Sequence, residues 1–145
     1  MKVVIQRVKE ARVKIENEIV GEIGKGLLVL LGVKGGDSEK DIKYLAEKIL
    51  NLRIFPDEQG KMNRSLLEIK AEILIVPQFT LYGDCKKGKR PSFARAAPSK
   101  IAEKLYQEFV KEIKKSGLKT ETGKFGTLMQ VELVNDGPVT LILET

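Results

Sequence analysis

Gly26-Leu27-Leu28-Val29-Leu30-Leu31-Gly32-Val33 is apolar at almost every position. A strand with one wet face alternates apolar and polar residues, whereas a run that is apolar at both parities predicts a central strand covered on both faces. Working outward towards the N-terminus, Lys2 to Val8 reads as a strand with Val4, Gln6 and Val8 on one face and Val3, Ile5 and Arg7 on the other. Arg7 therefore shares a face with apolar residues. Two readings stay open: a long cation snorkelling at an edge, or a guanidinium held inside by a partner. Ala11 to Glu16 and Glu18 to Ile23 predict two further strands with Asn17 at their hairpin turn, and Gly24-Lys25-Gly26 turns the chain into the central run.

Towards the C-terminus, Gly35-Gly36-Asp37 is a loop without the GxxxxGK[ST] spacing of a phosphate loop. Ser38-Glu39-Lys40-Asp41 resembles a capping box with Asp in its last place, and Ile42, Leu45, Ala46 and Ile49 give an amphipathic helix to about Leu52. Arg53 to Arg64 is turn and loop, and Ser65 to Ile69 is expected to pair weakly with the sheet. Glu72-Ile73-Leu74-Ile75-Val76 is a strand rich in β-branched residues. Pro98 suits the first turn of a second helix carrying Ile101, Ala102, Leu105, Tyr106, Phe109 and Ile113, which Ser116-Gly117 ends. Lys119 to Thr122 is a short strand; Met129 to Val134 and Val139 to Leu143 are two more, separated by Gly137-Pro138. Many strands in hairpins with two helices far apart in sequence predict an α+β fold: an antiparallel-rich, strongly curved or barrel-like β core with two amphipathic helices. The edges of such a small sheet favour a homodimer.

The chain has 145 residues, no histidine, one cysteine (Cys85) and a net charge of +6. That length predicts one domain, which buries roughly two-thirds of its unfolded surface. The longest apolar run is far shorter than the about 20 residues of a membrane span, and the N-terminus lacks a signal-peptide hydrophobic region, so a soluble, cytoplasmic protein is expected. A single cysteine excludes an internal disulfide and any multi-cysteine metal site. The lack of histidine excludes Ser-His-Asp and Cys-His catalysis, HExxH zinc sites and an imidazole base. Any chemistry runs on hydroxyls, amides, backbone groups, carboxylates, lysines or the substrate itself; no cofactor or metal is called for. The positive charge favours an anionic partner, although joint Lys and Glu enrichment also marks heat-stable surfaces.

Two stretches carry residues that a buried strand does not need: Pro77-Gln78-Phe79-Thr80-Leu81-Tyr82-Gly83-Asp84 and Asn135-Asp136-Gly137-Pro138-Val139-Thr140. The first places an amide and a hydroxyl directly after a strand. Cys85 to Arg95 then holds Lys86, Lys87, Lys89, Arg90 and Arg95, the densest positive segment of the chain. Alone, such a run is a solvated loop; directly after a candidate site it is a phosphate-binding rim.

With these two stretches the sequence closely resembles the D-aminoacyl-tRNA deacylases, also called D-tyrosyl-tRNA deacylases. The likeness extends over nearly the whole chain through Val4-Ile5-Gln6-Arg7-Val8, the central apolar run, Asn51-Leu52-Arg53-Ile54-Phe55, Gly60-Lys61-Met62-Asn63, Arg90-Pro91-Ser92-Phe93 and Met129-Gln130-Val131. It makes residues 1–145 a single deacylase domain. It departs at Pro77, where the family usually has serine, and at Thr127-Leu128, where a small residue followed by a polar one is usual. Pro at 77 is also found in a related deacylase family that tolerates other substrates, whereas Phe79 and the intact Gly137-Pro138-Val139-Thr140 favour the D-aminoacyl family.

The resemblance implies a homodimeric enzyme that hydrolyses the ester between a D-amino acid, or glycine, and the terminal adenosine of tRNA. It implies catalysis around Gln78, Phe79 and Thr80, and a cis Gly137-Pro138 peptide whose carbonyls enter the partner subunit's site and hold the substrate ammonium. Fixing the ammonium there and the ester at Thr80 leaves one direction for the side chain, so the L form meets protein and the D form projects outward. Arg7 would orient the Gly-Pro segment, Phe125 and Met129 would wall the adenine or acyl end or simply pack the core, and Lys86, Lys87, Lys89 and Arg90 would meet acceptor-stem phosphates. Thr80 has no evident base in the sequence, which favours a hydrogen-bonding role over a nucleophilic one and leaves the ribose 2′-hydroxyl to activate water. Alternatives of other classes are an editing deacylase for a mischarged L-aminoacyl-tRNA, a non-catalytic tRNA-binding module and a purely structural dimer.

Overall fold

The computed structural model describes residues 1–145. Eight strands, β1 (Lys2–Ile15), β2 (Glu18–Ile23), β3 (Gly26–Gly32), β4 (Phe55–Pro56), β5 (Met62–Arg64), β6 (Glu72–Pro77), β7 (Thr120–Thr122) and β8 (Gln130–Glu144), accompany two helices, α1 (Glu39–Asn51) and α2 (Ser99–Lys114). A short 3-10 turn, Phe79–Tyr82, follows β6. The main sheet runs β2-β1-β3-β6-β7, with β8 on the other edge of β1 and with β4 and β5 as a separate small hairpin.

The central position of β3 explains its unbroken apolar sequence. Leu27, Val29 and Leu31 join a core of 23 buried residues with Ile73 and Ile75 of β6 and the apolar stripes of both helices. Leu28 points the other way, into a smaller core with Val8, Ala11, Val13, Ile23, Leu74 and Val76, which Leu30, Met129, Val131 and Leu133 partly cover. Each large side chain so buried stabilises the fold by about 1.5–3 kcal/mol. The sheet is mixed rather than antiparallel throughout: β1 pairs antiparallel with β2, β3 and β8, while β3–β6 and β6–β7 are parallel. It curls almost into a barrel, bringing β2 against β7 so tightly that a Cβ on Gly21 would lie 2.7 Å from the Thr122 carbonyl oxygen.

Several expected boundaries shift. Ala11 to Glu16 is not a separate strand; as far as Ile15 it continues Lys2 to Val8, and register shifts between Gln6 and Glu10 turn the odd-numbered residues from the main core, which Val3 and Ile5 face, to the smaller one, which Ala11 and Val13 face. Such bulges bend a strand and let one element serve both cores. Ser65 to Ile69 does not pair with the sheet; Met62–Arg64 pairs instead with Phe55–Pro56. Met129 to Leu143 forms one long strand from Gln130, interrupted in its pairing only around Gly137-Pro138. Pro98 caps α2 and Ser99 begins it. At α1, Asp41 accepts hydrogen bonds from the Ser38 amide and hydroxyl, both 2.8 Å, and these hold its carboxyl down at about 2. No helix is long and apolar enough to cross a membrane.

The contact at Gly21 sets a test of barrel closure. Gly21→Ala forces the β2–β7 approach apart and is expected to destabilise the fold by about 1–3 kcal/mol, the usual cost of overpacking. Chemical denaturation of the variant beside the wild type measures it.

Candidate active site

The parallel pairing of β6 beside β3 ends at Pro77, opposite Leu31, and the Gln78 amide still donates to the Leu31 carbonyl at 2.8 Å. Past that bond the chain turns. Leu81 N donates to the Gln78 carbonyl and Gly83 N to the Thr80 carbonyl, closing the 3-10 turn. The amides of Phe79 and Thr80 have no protein acceptor, as the first N–H groups of a helical turn generally do not. The Gln78 side-chain amide donates to the Thr80 hydroxyl oxygen, the only side-chain hydrogen bond that Thr80 makes. Its hydroxyl proton is therefore free to point outward. No base is among its partners.

A groove of about 710 Å³ opens beside this turn. Its floor includes Val76, Pro77, Gln78 and Phe79, and its walls come from the start of α2 and from the segment leading into β8, including Phe125 and Met129. Phe125 leans on Tyr106, with ring centres 6.0 Å apart, and the Tyr106 hydroxyl donates to the Ile75 carbonyl at 2.9 Å. Burial raises the pKa of that phenol, keeping it neutral. The Lys124 amide points at the Met129 sulfur, 3.3 Å away. Phe125 packs on the main core and Met129 on the smaller one, so each both fills a core and walls the groove. Phe79 and Phe93 meet edge to face at 5.1 Å across one lip. The opposite lip carries Leu128, 92 % exposed.

No Asp, Glu, Lys, Arg, Cys or Tyr lines this groove. Polar lining comes from Gln78, Ser99 and Thr127; Thr80 is not among the lining residues and stands exposed just beyond Phe79.

Lys86, Lys87, Lys89 and Arg90 lie in an exposed loop between Asp84 and Ser92, whose backbones exchange hydrogen bonds of 2.7 and 2.9 Å. None of the four pairs with a carboxylate, although carboxylates engage many of the chain's other cations. The loop returns to the groove at Phe93.

The second stretch lies elsewhere. Gly137 and Pro138 do not line the groove of their own chain; they are exposed, joined by a cis peptide, at the tip of an excursion from β8. Arg7 holds its base. Its Nε donates to the Asp136 carbonyl at 2.9 Å and a terminal nitrogen donates to the Ile54 carbonyl at 2.5 Å, and its side chain is only 11 % exposed. Of the two readings open for Arg7, a partner holds it. Gly137 has φ +140°, and a Cβ there would lie 2.9 Å from Val139 Cγ2 and 3.1 Å from the Arg7 guanidinium, so only glycine fits.

The sequence missed the groove's far wall. Ala96, Ala97, Ala102 and Val131 line it, but small apolar residues at a helix start or on a strand carry no signal apart from core packing. Phe93 stood in a motif without a role.

The family model for D-Tyr-tRNA(Tyr) deacylase matches residues 4–144. A D-aminoacyl-tRNA deacylase of Thermosipho africanus is 65 % identical over 145 residues, spanning all of this chain and 97 % of that protein. One of Desulfatibacillum aliphaticivorans is 62 % identical, spanning all of this chain and 99 % of the relative. Among solved structures, a c-Myc DNA unwinding element binding protein superposes with a TM-score of 0.94 at 44 % identity, covering 100 % of this chain and 99 % of that one. A probable eukaryotic D-amino acid tRNA deacylase shares the fold, with a TM-score of 0.84 at 19 % identity over 98 % of this chain and 97 % of that one. With its strand-end Gln78-Phe79-Thr80 turn and a family match over almost its full length, the chain belongs to the D-tyrosyl-tRNA deacylase family.

Proposed function

We propose that the protein is a cytoplasmic homodimer that hydrolyses the ester of D-aminoacyl-tRNA, and of glycyl-tRNA mischarged on tRNA-Ala, while sparing L-aminoacyl-tRNA. The observation that carries this reading is a groove with apolar walls and no titratable side chain, next to a turn in which the Phe79 and Thr80 amides are unpaired and the Thr80 hydroxyl is exposed. An aminoacyl ester is already activated. Its hydrolysis needs water aligned and the tetrahedral oxyanion stabilised, and both are within reach of amides and hydroxyls.

In this mechanism water adds to the ester carbonyl carbon. The amides of Phe79 and Thr80 donate to the oxyanion, and Thr80 adds its outward hydroxyl proton. The ribose 2′-hydroxyl relays a proton, taking one from the attacking water as it passes its own to the neighbouring 3′-oxygen, so that it ends unchanged. Collapse of the intermediate then breaks the bond to the ribose 3′-oxygen, which leaves protonated, with the free amino acid as the other product. Gln78 orients Thr80 and offers its amide to the adenosine. Phe125 and Met129 bound the acyl and adenine end.

The exposed Gly137-Pro138 tip lies away from its own groove, which fits action across a dimer. The outer edge of β8 is unpaired, and Val134, Leu141 and Ile142 stand exposed on that strand. Carbonyls at the tip would take the ammonium in the partner's groove, and L side chains would be turned into protein. Lys86, Lys87, Lys89 and Arg90 would hold acceptor-stem phosphates.

Hydrolysis of D-tyrosyl-, L-tyrosyl- and glycyl-tRNA in parallel, with chelator present, tests the reading. The D and glycyl esters are expected to be cleaved and the L ester spared. Cleavage of none leaves a tRNA-binding module; cleavage of the L ester as well points to an L-editing deacylase. Thr80→Ala is expected to lose on the order of 100-fold, the lower cost of removing one oxyanion donor, because the two amides remain, whereas abolished turnover would identify a nucleophile.

The pH profile follows from the missing protein ionisations. Capture by carbonyls requires a protonated amine, so enzymatic kcat/KM, corrected for spontaneous hydrolysis, should fall as pH rises through the substrate amine's own pKa. No acid limb from a groove carboxylate should appear.

Salt tests the basic loop. The logarithm of tRNA affinity should fall linearly with log salt, and replacing Lys86, Lys87, Lys89 and Arg90 by alanine should flatten that slope by about 0.7–0.9 for each phosphate contact removed. Binding titrations at several salt concentrations give both slopes.

A further inference from the structure

Around Gly137-Pro138 the β1–β8 ladder loses its pairing. Val8 opposes Asn135 and Gln6 opposes Thr140, so Arg7 alone faces four residues, Asp136 to Val139. Four residues pushed out of a strand give up its ladder bonds, and their direction must be fixed by something else. Arg7 fixes the first of them through the Asp136 carbonyl. The return of the chain is fixed by a different group.

Asn135 bridges the base of the excursion. Its Oδ1 accepts from the Val139 amide at 2.8 Å, and its Nδ2 donates to the Thr140 hydroxyl oxygen at 3.0 Å and towards the Val139 carbonyl at 3.4 Å. Gln6 Nε2 donates to the same Thr140 oxygen from β1 at 3.3 Å. The side-chain amide thus stands in for a neighbouring strand, offering a donor and an acceptor together. Val139 is drawn in, its side chain packing on the main core, while Gly137 and Pro138 remain exposed.

We infer that Asn135, seconded by Thr140 and Gln6, is a positioning residue for stereochemical selection: it sets the reach and aim of the Gly137-Pro138 carbonyls. The inference rests on the reading that these carbonyls take the substrate ammonium. A positioning group displaced by about 1 Å costs on the order of 100-fold in rate. A filter that works by exclusion loses discrimination as well as rate when its rigid wall moves.

The test compares the wild type, Asn135→Ala, Asn135→Asp and Gly137→Ala, measuring kcat and KM for D-tyrosyl-tRNA, the rate on L-tyrosyl-tRNA and the thermal unfolding midpoint. Asn135→Ala is expected to lower the D-over-L preference by about 10- to 100-fold. Asn135→Asp keeps an acceptor for the Val139 amide and can accept from Thr140, so it should recover most of the preference. Its recovery also covers the case in which the alanine variant folds poorly. Gly137→Ala, which crowds Arg7 and Val139, should abolish the preference. If Asn135→Ala slows both esters alike with a lower midpoint and an unchanged preference, Asn135 is only structural and the inference is overturned. If Gly137→Ala also leaves the preference intact, the Gly137-Pro138 reading falls with it; if Gly137→Ala destroys the preference and Asn135→Ala does not, only the role of Asn135 falls.

Discussion

The antiparallel pairing of β1 with β8 is the constraint on which the molecule depends. Lys2 to Lys14 runs against Gln130 to Glu144, while the other edge of β1 is shared between β3 and β2. One strand therefore holds β8 in the sheet, curls the sheet towards closure and supplies Arg7 at the point where the ladder opens. The bulges that let β1 serve two cores lie beside Arg7, between Gln6 and Glu10. The bend of the sheet and the placement of the Gly137-Pro138 tip are thus consequences of one local irregularity. Shifting the register by one residue would turn Arg7 to the other face of the strand and remove its grip on the Asp136 and Ile54 carbonyls.

The two candidate stretches differ in how they are supported. Gln78 to Thr80 hang from β6, a strand buried on both faces, through a backbone bond to Leu31. That is a rigid mount, suited to holding donors at the distances an oxyanion requires. Gly137 and Pro138 instead project beyond the sheet and owe their direction to side chains on both flanks. Under the proposed mechanism, chemistry on the rigid element and selection on the clamped one can change independently, and each fails for a different structural reason.

How much of this was legible in the sequence depended on whether a residue's role is local. The run Leu27 to Val33 announced a strand covered on both faces because parity alone encodes burial, and the stripe Ile42, Leu45, Ala46 and Ile49 placed α1 in the core for the same reason. The union of Lys2–Val8 with Ala11–Ile15 was not legible. A bulge leaves the composition of a strand unchanged while reversing its faces, and Lys9 and Glu10 look like a turn between two strands. Parallel pairing of β3 with β6 was equally hidden, since both sequences suit either direction. At the site, Gln78, Phe79 and Thr80 stood out because polar groups end an apolar run. Asn135 was visible within a motif, yet its task depends on a gap in the ladder that only the register reveals.

Charge distribution decides what the net +6 does. Along the barrel wall and the helices some cations are matched: Arg12 and Lys14 share Glu132, Lys43 meets Glu39, and Lys119 meets Glu72. Such exposed pairs add little stability individually, and other cations of the sheet and helices, Lys9, Lys48 and Lys111 among them, have no carboxylate partner. What sets the loop between Asp84 and Ser92 apart is density: Lys86, Lys87, Lys89 and Arg90 stand together, without carboxylate partners, in a loop that returns to the groove at Phe93. The groove itself carries no charge. An anionic polymer is therefore attracted to the rim and meets neutral, largely apolar walls within, where an ester's dipole and a backbone amide interact with little competition from water. In the proposed mechanism charge brings the substrate to the groove, and its absence inside leaves the reaction to oriented amides and hydroxyls.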